Sequence, residues 1–197
     1  ERVFAYLPPE KTLITMDTAH PSHEGRTLRE IAAQEGKSAA DCYVDMVCVD
    51  DVPIGVFMSQ DLDIVRALMP HDYIITASDG WTVPKDMTHP HPRVYGTFPK
   101  KMRQFVLTEK RLSLKEAIRS MTSLPAEKFN IPGRGRIAEG NYADIAVIDI
   151  NTITDRATYL KPHQYAGGIS YLLVNGIVAI EKGKPTGDRG GRALRKG

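Results

Sequence analysis

Apolar residues at helical spacing, together with polar capping residues, predict four helices along the chain. The stretches Thr27–Glu30 and Ser113–Glu116 each read as a capping box, in which a hydroxyl and a glutamate carboxylate satisfy free backbone N–H groups. Ser38 precedes a third segment, and a fourth spans about residues 60–69 and ends at Pro70. The apolar positions that set the helical period are Ala40, Tyr43, Val44 and Val47 after Ser38, and Leu114, Ala117, Ile118 and Met121 after Ser113.

Strand-type runs alternate with these predicted helices. Residues 73–77 form a continuous apolar run, typical of a strand covered on both faces, and flanking helices indicate a parallel sheet. Residues 144–149 predict another strand, and residues 171–180 predict a hairpin around Asn175-Gly176, because both turn residues tolerate positive φ. The predicted fold class is α/β, with an α/β portion that gives way to a β portion near residue 135. Only about two or three strand–helix units are present, whereas a (β/α)8 barrel takes roughly 250 residues, so we expect the end of a larger fold.

Composition and charge narrow the classes of function. The 197 residues are 42% hydrophobic and 25% charged, and the formal net charge of +2 is too small to favour nucleic acid or a membrane surface as a partner. No apolar run approaches the roughly 18–20 residues of a membrane span, and the first residues show no signal peptide. Cys42 and Cys48 are the only cysteines, and we expect reduced core thiols in a cytoplasmic protein.

The segment Ser78-Asp79-Gly80 ends the apolar run at residues 73–77 and is the main candidate for chemistry. In parallel α/β folds, active sites gather at the carboxyl ends of strands, which is the position predicted for Asp79. A carboxylate there can act as general base toward a metal-bound water and can also bind the metal. The alternative, that the Asp-Gly pair only makes a turn, stays open.

A proline-rich loop follows and carries an arginine and two histidines. Arg93 is predicted to bind a substrate carboxylate in a bidentate manner, although it could also be an ordinary surface arginine. His89 and His91 suggest a metal pair, but the surrounding prolines do not suit a strand, so loop packing or substrate lining is the favoured interpretation. The metal hypothesis is weaker for His20 and His23, which we place in a turn before a helix.

Several motifs together resemble the C-terminal part of the N-acyl-D-amino-acid deacylases, or D-aminoacylases, of the metal-dependent amidohydrolase superfamily. They occur in the order typical of that family from about residue 24 onward, and as a set they are specific to it. The motifs are Ser78-Asp79-Gly80, His89-Pro90-His91-Pro92-Arg93, Gly96-Thr97-Phe98-Pro99, residues 121–126, residues 135–140, Ala143-Asp144-Ile145-Ala146-Val147, His163-Gln164-Tyr165 and Val174-Asn175-Gly176.

The resemblance implies a zinc enzyme that hydrolyses N-acyl-D-amino acids to a carboxylate and a free D-amino acid. It implies an eight-stranded barrel and a small β-sandwich built from both chain ends. Asp79 matches the catalytic aspartate on the last barrel strand, and it could contribute weakly to the metal site. Arg93 matches the arginine expected to hold the substrate's α-carboxylate, and we expect Ser78 and Gly80, which flank Asp79, to contact the substrate as well.

The chain also departs from the family pattern. The strand-1 His-x-His, the cysteine or modified-lysine ligand and the two mid-barrel histidines have no match here, and neither Cys42 nor Cys48 matches the ligand cysteine. We therefore expect residues 1–134 to be the end of the barrel and residues 135–197 to be the C-terminal sandwich strands and tail. Alone, the chain is predicted to hold no catalytic zinc, to be inactive, and to self-associate through an exposed barrel edge.

Other hypotheses stay open from the sequence alone. One is a related cyclic amidase of the dihydroorotase or hydantoinase type, against which the proline-rich loop with Arg93 argues. Another is a non-catalytic binding or assembly module that retained the end of the fold. A nucleic-acid binder that uses the basic tail is the least supported, given the near-neutral charge.

Overall fold

The computed structural model describes residues 7–84 and 89–194, and their contacts form two compact units. The first unit takes in the described residues 7–62, 82–84, 89–92 and 158–163. The second takes in residues 63–81, 93–157 and 164–194. No helix in the described ranges is long and apolar enough to cross a membrane. The division into barrel and sandwich portions at residue 135 stays a prediction.

The first unit packs two helices beside a two-stranded antiparallel sheet. Strand β1 (Thr12–Met16) pairs with β2 (Ile54–Phe57), and α1 (Leu28–Glu35) and α2 (Ala39–Val47) lie between them in sequence. Short 3-10 turns cover Pro9–Lys11 and Pro21–His23. The core of this unit consists of Ile14, Leu28, Ile31, Ala32 and Cys42, with Ala39 and Met46 packed against it.

Helix α1 begins at the predicted capping box. The Thr27 hydroxyl accepts a hydrogen bond from the Glu30 N–H at 3.3 Å, and the Glu30 carboxylate accepts one from the Thr27 N–H at 2.7 Å. The helix ends at Gly36, which has a φ of 66° and so takes the left-handed conformation that glycine tolerates best. Ser38 caps α2 through the Asp41 N–H at 3.1 Å, so both helix starts are confirmed.

The second unit contains most of the remaining helices. These are α3 (Leu62–Leu68), α4 (Arg93–Lys100), a π-helix (Lys101–Thr108), α5 (Leu114–Met121) and α6 (Ser123–Lys128). Helix α3 belongs to this unit from Asp63 onward, because the boundary between the units falls after Leu62. Pro99 lies inside α4 and lacks an N–H, and the helix continues with the wider π geometry, in which the Glu109 N–H donates to Gln104 O at 2.7 Å. Phe105, Leu112 and Ala117 form the core, against which Val65, Met69, Val106 and Met121 pack.

A four-stranded antiparallel sheet follows in the same unit. Its order is β3 (Ile145–Ile148), β4 (Ile169–Val174), β5 (Ile177–Glu181) and β6 (Lys184–Pro185). Asn175 and Gly176 have φ values of 51° and 82°, which confirms the predicted hairpin turn. Strands β3, β4 and β5 match the predicted strand and hairpin closely.

Two predictions about strands and cysteines differ from the structure. Residues 73–77 belong to no paired strand, and every strand pairing in the described ranges is antiparallel, so the predicted parallel sheet is not formed there. A parallel strand exists only through hydrogen bonds to neighbouring strands, and the Thr76 N–H instead donates to Ser120 O at 3.0 Å. Both cysteines are free as predicted, but Cys48 is exposed at the end of α2 rather than buried like Cys42.

Candidate functional site

Asp79 lies in an irregular segment that follows residues 73–77. Its φ of 50° lies in the left-handed region, which aspartate tolerates better than most residues. The Ser78 hydroxyl accepts a hydrogen bond from the Gly80 N–H at 3.2 Å. A Cβ on Gly80 would lie 3.1 Å from the Cα of Val94, so glycine allows this segment to approach the start of α4 closely. The Asp79 side chain is 83% exposed, so its carboxylate can meet a solute.

Arg93 is the first residue of α4, and its Nη1 lies 3.0 Å from Asp79 Oδ2. The two residues that the sequence selected for chemistry are therefore neighbours in the structure. The prediction that Arg93 lies on a loop is wrong, because the loop ends at Pro92 and the helix begins immediately after it. The backbone anchors Arg93 to the helix, since its C=O accepts a hydrogen bond from the Thr97 hydroxyl at 2.9 Å.

His89 and His91 pack against a tyrosine instead of forming a metal pair. A ring nitrogen of His89 lies within hydrogen-bonding distance of the Tyr159 carbonyl. The ring of His91 meets the Tyr159 ring edge-on, with 5.3 Å between centroids. Neither histidine belongs to a group of metal donors among residues 7–84 and 89–194. These contacts support loop packing, which the sequence analysis favoured over the metal hypothesis.

Asp17, His20 and His23 bring three potential metal donors together just after β1. One donor atom from each residue lies within 4.8 Å of the others. The sequence predicts the two histidines in a turn, which is correct, but it favours His89 and His91 over them as ligands and gives no separate indication of Asp17. The spacing Asp-x-x-His-x-x-His is the signal that could have indicated the group, since residues three apart share a side of a tight turn.

Lys101 is buried in the second unit, and the sequence analysis did not identify it. Only 2% of the residue is exposed, and its Nζ donates to the hydroxyls of Thr76 at 2.6 Å and Ser120 at 2.7 Å. Burial lowers the pKa of the Lys101 ammonium, because the interior solvates a charge poorly. Sequence pattern could not reveal it, since a lysine on an amphipathic helix is ordinarily exposed.

The family motif around Asp144 has a structural role in this chain. Asp144 accepts a hydrogen bond from the Asn175 N–H at 2.8 Å and pairs with the Arg134 guanidinium, while the Gly176 N–H donates to Ala143 O at 2.9 Å. Burial opposes ionisation of Asp144, but the Asn175 N–H and Arg134 outweigh it and lower the pKa. These contacts tie β3 to the β4–β5 turn.

The residues around Asp79 do not fit a complete zinc site. Zinc normally takes three protein ligands and one further position. Within the described ranges, Asp17, His20 and His23 are the only group of three or more donors close enough to share an ion, and Asp79 is not among them. Asp79 therefore belongs to no zinc site that the described residues form by themselves.

Comparison with known proteins finds a matching family and similar deacylases. The profile of the amidohydrolase family matches residues 10–180. The chain is 38% identical over 184 residues to the N-acyl-D-glutamate deacylase of Alcaligenes xylosoxydans xylosoxydans, and 35% identical over 188 residues to the D-aminoacylase of the same organism. These alignments cover 93% and 94% of this chain, but only 36% and 37% of the two relatives.

A solved structure supports the same similarity. The N-acyl-D-glutamate deacylase of Bordetella bronchiseptica, complexed with zinc and a phosphonate inhibitor, superposes with a TM-score of 0.74 at 29% identity. The superposition covers 91% of this chain and 37% of that one. The chain thus spans little more than a third of the length of the relatives it matches.

Proposed function

The chain belongs to the amidohydrolase family, and we propose that it is part of a zinc-dependent hydrolase that cleaves the amide of N-acyl-D-amino acids. The relatives named above support the substrate class, since they are deacylases similar over nearly the whole of this chain. The observation that carries the proposal is the Asp79–Arg93 pair, with Nη1 and Oδ2 3.0 Å apart. It joins a carboxylate, which can act as a general base, and a guanidinium, which can bind an anionic group of the substrate.

Asp79 is proposed as the general base. Its exposed carboxylate takes a proton from the water that attacks the acyl carbon, and then gives that proton to the leaving nitrogen. Once this nitrogen is protonated, the C–N bond breaks and the nitrogen leaves as a neutral amine. The products are a carboxylate and a free D-amino acid. The hydroxyl of Ser78 accepts the Gly80 N–H, and its own O–H can donate to a substrate oxygen.

Arg93 is proposed to hold the substrate's α-carboxylate. A guanidinium presents parallel N–H donors that match the two oxygens of a carboxylate. Without substrate it pairs with Asp79, and a bound α-carboxylate would take over part of that pairing. This exchange would release Asp79 for proton transfer at the moment when substrate arrives.

The wider fold follows from the same proposal. Residues 1–134 would supply the last strand–helix units of a (β/α)8 barrel, and residues 135–197 the C-terminal strands of a β-sandwich. Residues 73–77 would then be the last barrel strand, paired with strands outside this chain. The complete enzyme would hold zinc mainly through residues other than those described here, and zinc would supply polarisation of the acyl carbonyl.

The test measures release of free amino acid from N-acetyl-D-methionine and its L-enantiomer in the presence of zinc. It is run on the 197-residue chain and on any longer reading frame that contains it, with dihydroorotate as a cyclic-amide substrate. We expect D-selective release from the longer protein only. Preference for the cyclic amide would replace the proposal with the cyclic-amidase alternative, and inactivity of both proteins toward every substrate would favour a binding module.

Asp79→Asn sharpens this test. In an active longer protein it should lower turnover about 10²–10⁴-fold, the usual contribution of a general base. Asp72→Asn is the matched control, because Asp72 is an exposed aspartate in the same unit. Turnover of Asp79→Asn equal to that of Asp72→Asn would remove Asp79 from the mechanism.

A further inference from the structure

We propose that Asp17, His20 and His23 form a binding site for a zinc-type divalent cation. This site uses none of the ligands that the family resemblance implies. It does not rest on the proposed deacylase activity, since all three residues lie in the first unit and their metal binding can be measured directly.

The donor set indicates which ions would bind. One carboxylate and two imidazoles suit zinc and its first-row neighbours cobalt, nickel and copper, whereas magnesium and calcium prefer oxygen donors alone. Two imidazoles and one carboxylate occupy three of the four positions around a tetrahedral ion, so a water molecule would take the fourth.

The distances between donors match a shared ion. His23 Nδ1 lies 2.8 Å from Asp17 Oδ2, and His20 Nδ1 lies 3.7 Å from Asp17 Oδ1. Two ligands bound at ~2.1 Å in tetrahedral geometry stand about 3.4 Å apart, so a small outward movement of the His23 ring would admit an ion between its Nδ1 and Asp17. Both Nδ1 atoms lie beside the Asp17 carboxylate, and the two rings are stacked with centroids 5.0 Å apart.

The second nitrogen of His23 has the partner expected of a metal-bound histidine. His23 Nε2 lies 3.3 Å from Glu35 Oε1, and a carboxylate in this position orients the ring and leaves Nδ1 to bind the ion. Lys37 Nζ in turn lies 3.1 Å from Glu35 Oε2. The pKa of Lys37 is raised, first by Asp45 and then by Glu35, so the lysine stays charged and holds Glu35 in place.

The loop that carries the three ligands is closed at its base. The Gly25 N–H donates to Ile14 O at 2.8 Å, and the Ile14 N–H donates to Arg26 O at 2.9 Å. Inside the loop, the His20 N–H donates to Asp17 Oδ1 at 2.9 Å, and the Asp17 N–H donates to Glu24 Oε1 at 3.1 Å. The backbone therefore holds the donors together before any ion binds, which lowers the entropy lost on binding.

Burial of the Asp17 carboxylate favours a bound cation beside it. The Asp17 side chain is only 2% exposed and that of His23 10%, and the ion pairs of Asp17 in the described ranges are with histidines alone. A buried carboxylate is costly without full compensation, and a divalent ion would offset that cost. The His20 side chain is 62% exposed, so it leaves an entry path and can turn toward the ion.

The experiment titrates zinc into the chelator-treated 197-residue chain by calorimetry, with cobalt absorption in the visible range as a second readout. We expect one zinc per chain at this site. His20→Ala should weaken binding at least about tenfold, and Glu35→Gln should weaken it by roughly 10–100-fold through loss of the orienting carboxylate. Because His20 is mostly exposed, its removal should preserve the fold, which circular dichroism checks.

Two matched variants complete the design. His71→Ala removes an exposed histidine of the second unit, and Asp79→Asn removes the proposed catalytic carboxylate; both should bind zinc like the unmodified chain. The proposal is overturned if the unmodified chain binds no zinc, if His20→Ala binds as tightly as His71→Ala, or if Asp79→Asn loses as much affinity as His20→Ala. In the first two cases Asp17, His23 and Glu35 form only a hydrogen-bonded network that stabilises the loop.

Discussion

At the scale of single residues, the most informative contact is that between Asp79 and Arg93. The two are separated by a proline-rich segment in sequence, yet Gly80 allows residues 78–80 to approach α4 so closely that Arg93 Nη1 and Asp79 Oδ2 are 3.0 Å apart. Their charges were evident from sequence, whereas their contact was not, because it depends on where α4 begins.

Arg93→Lys tests the carboxylate role in an active longer protein. Lysine keeps the charge but loses the paired donors, so KM for an N-acetyl-D-amino acid should rise roughly 10–100-fold. An analogue in which the α-carboxylate is replaced by a neutral group should show a much smaller change. The exposed Arg103 provides the control Arg103→Lys, which should leave KM unchanged. Equal effects on both substrates would exclude a carboxylate-binding role.

Lys101 has a predictable effect on the pH dependence of stability. Its folded-state pKa is lowered by burial, so between that pKa and the unfolded value of about 10.4 the unfolded chain binds more protons. The free energy of unfolding should therefore rise with pH over this window. In Lys101→Met this contribution should vanish, and stability at neutral pH should be equal or higher, because a buried charge is replaced by an apolar chain of similar size.

Urea denaturation at about pH 7 and about pH 10 measures this effect as the difference between variants. Lys115→Met serves as control, because Lys115 is exposed on α5 and should leave the pH dependence as it is. If Lys101→Met and Lys115→Met show the same slope, the ammonium of Lys101 does not titrate abnormally.

At the scale of elements, helix starts are set locally. Ser113 accepts the Glu116 N–H at 3.2 Å, and Glu116 accepts the Ser113 N–H at 2.7 Å, so four consecutive residues define where α5 begins. The same holds for α1 at Thr27. Strands behave differently, because β1 and β2 pair across about 40 residues and residues 73–77 find no strand partner in the described chain.

Ser113→Ala tests the contribution of the cap. Loss of the hydroxyl should lower the free energy of unfolding by about 0.5–2 kcal/mol near neutral pH. Ser113 also lowers the pKa of Glu116, so this stabilisation is present above the unfolded glutamate pKa and is lost as pH falls through the lower folded value. The difference between Ser113→Ala and the unmodified chain should therefore shrink in acid.

Thr122→Ala is the comparison for the cap. Thr122 precedes α6 but makes no side-chain cap, and its hydroxyl donates to Ile118 O instead. Chemical denaturation at neutral and acidic pH should show a smaller loss for Thr122→Ala, with no dependence on glutamate ionisation. A pH-independent effect of Ser113→Ala would mean that Glu116 is not coupled to the cap.

At the scale of the whole molecule, many large apolar side chains remain exposed. Trp81 and Phe129 are each 62% exposed, Tyr73 63% and Ile137 84%. Apolar surface of this extent usually marks contacts with other protein. Together with coverage of only 36% of the N-acyl-D-glutamate deacylase, this supports the proposal that further chain covers these surfaces in the complete enzyme.

The isolated chain should therefore self-associate. Static light scattering should give a mass above the 21.9 kDa of one chain, and the mass should increase with protein concentration. A longer protein that contains the chain should show a mass that does not depend on concentration over the same range. A 21.9 kDa particle at every concentration would contradict the expectation that this surface needs a partner.

Local chemistry in the sequence determined the helices with capping boxes and the Asn175-Gly176 hairpin, because these features depend on residues a few positions apart whose hydrogen bonds and φ preferences need no distant partner. The sequence also determined the family, through a set of motifs distributed along most of the chain. Only the tertiary structure decided that Lys101 is buried and that Arg93 begins a helix beside Asp79. Burial and side-chain contact depend on how distant segments pack, and periodicity along one segment shows which of its faces is apolar but not which distant segment covers that face.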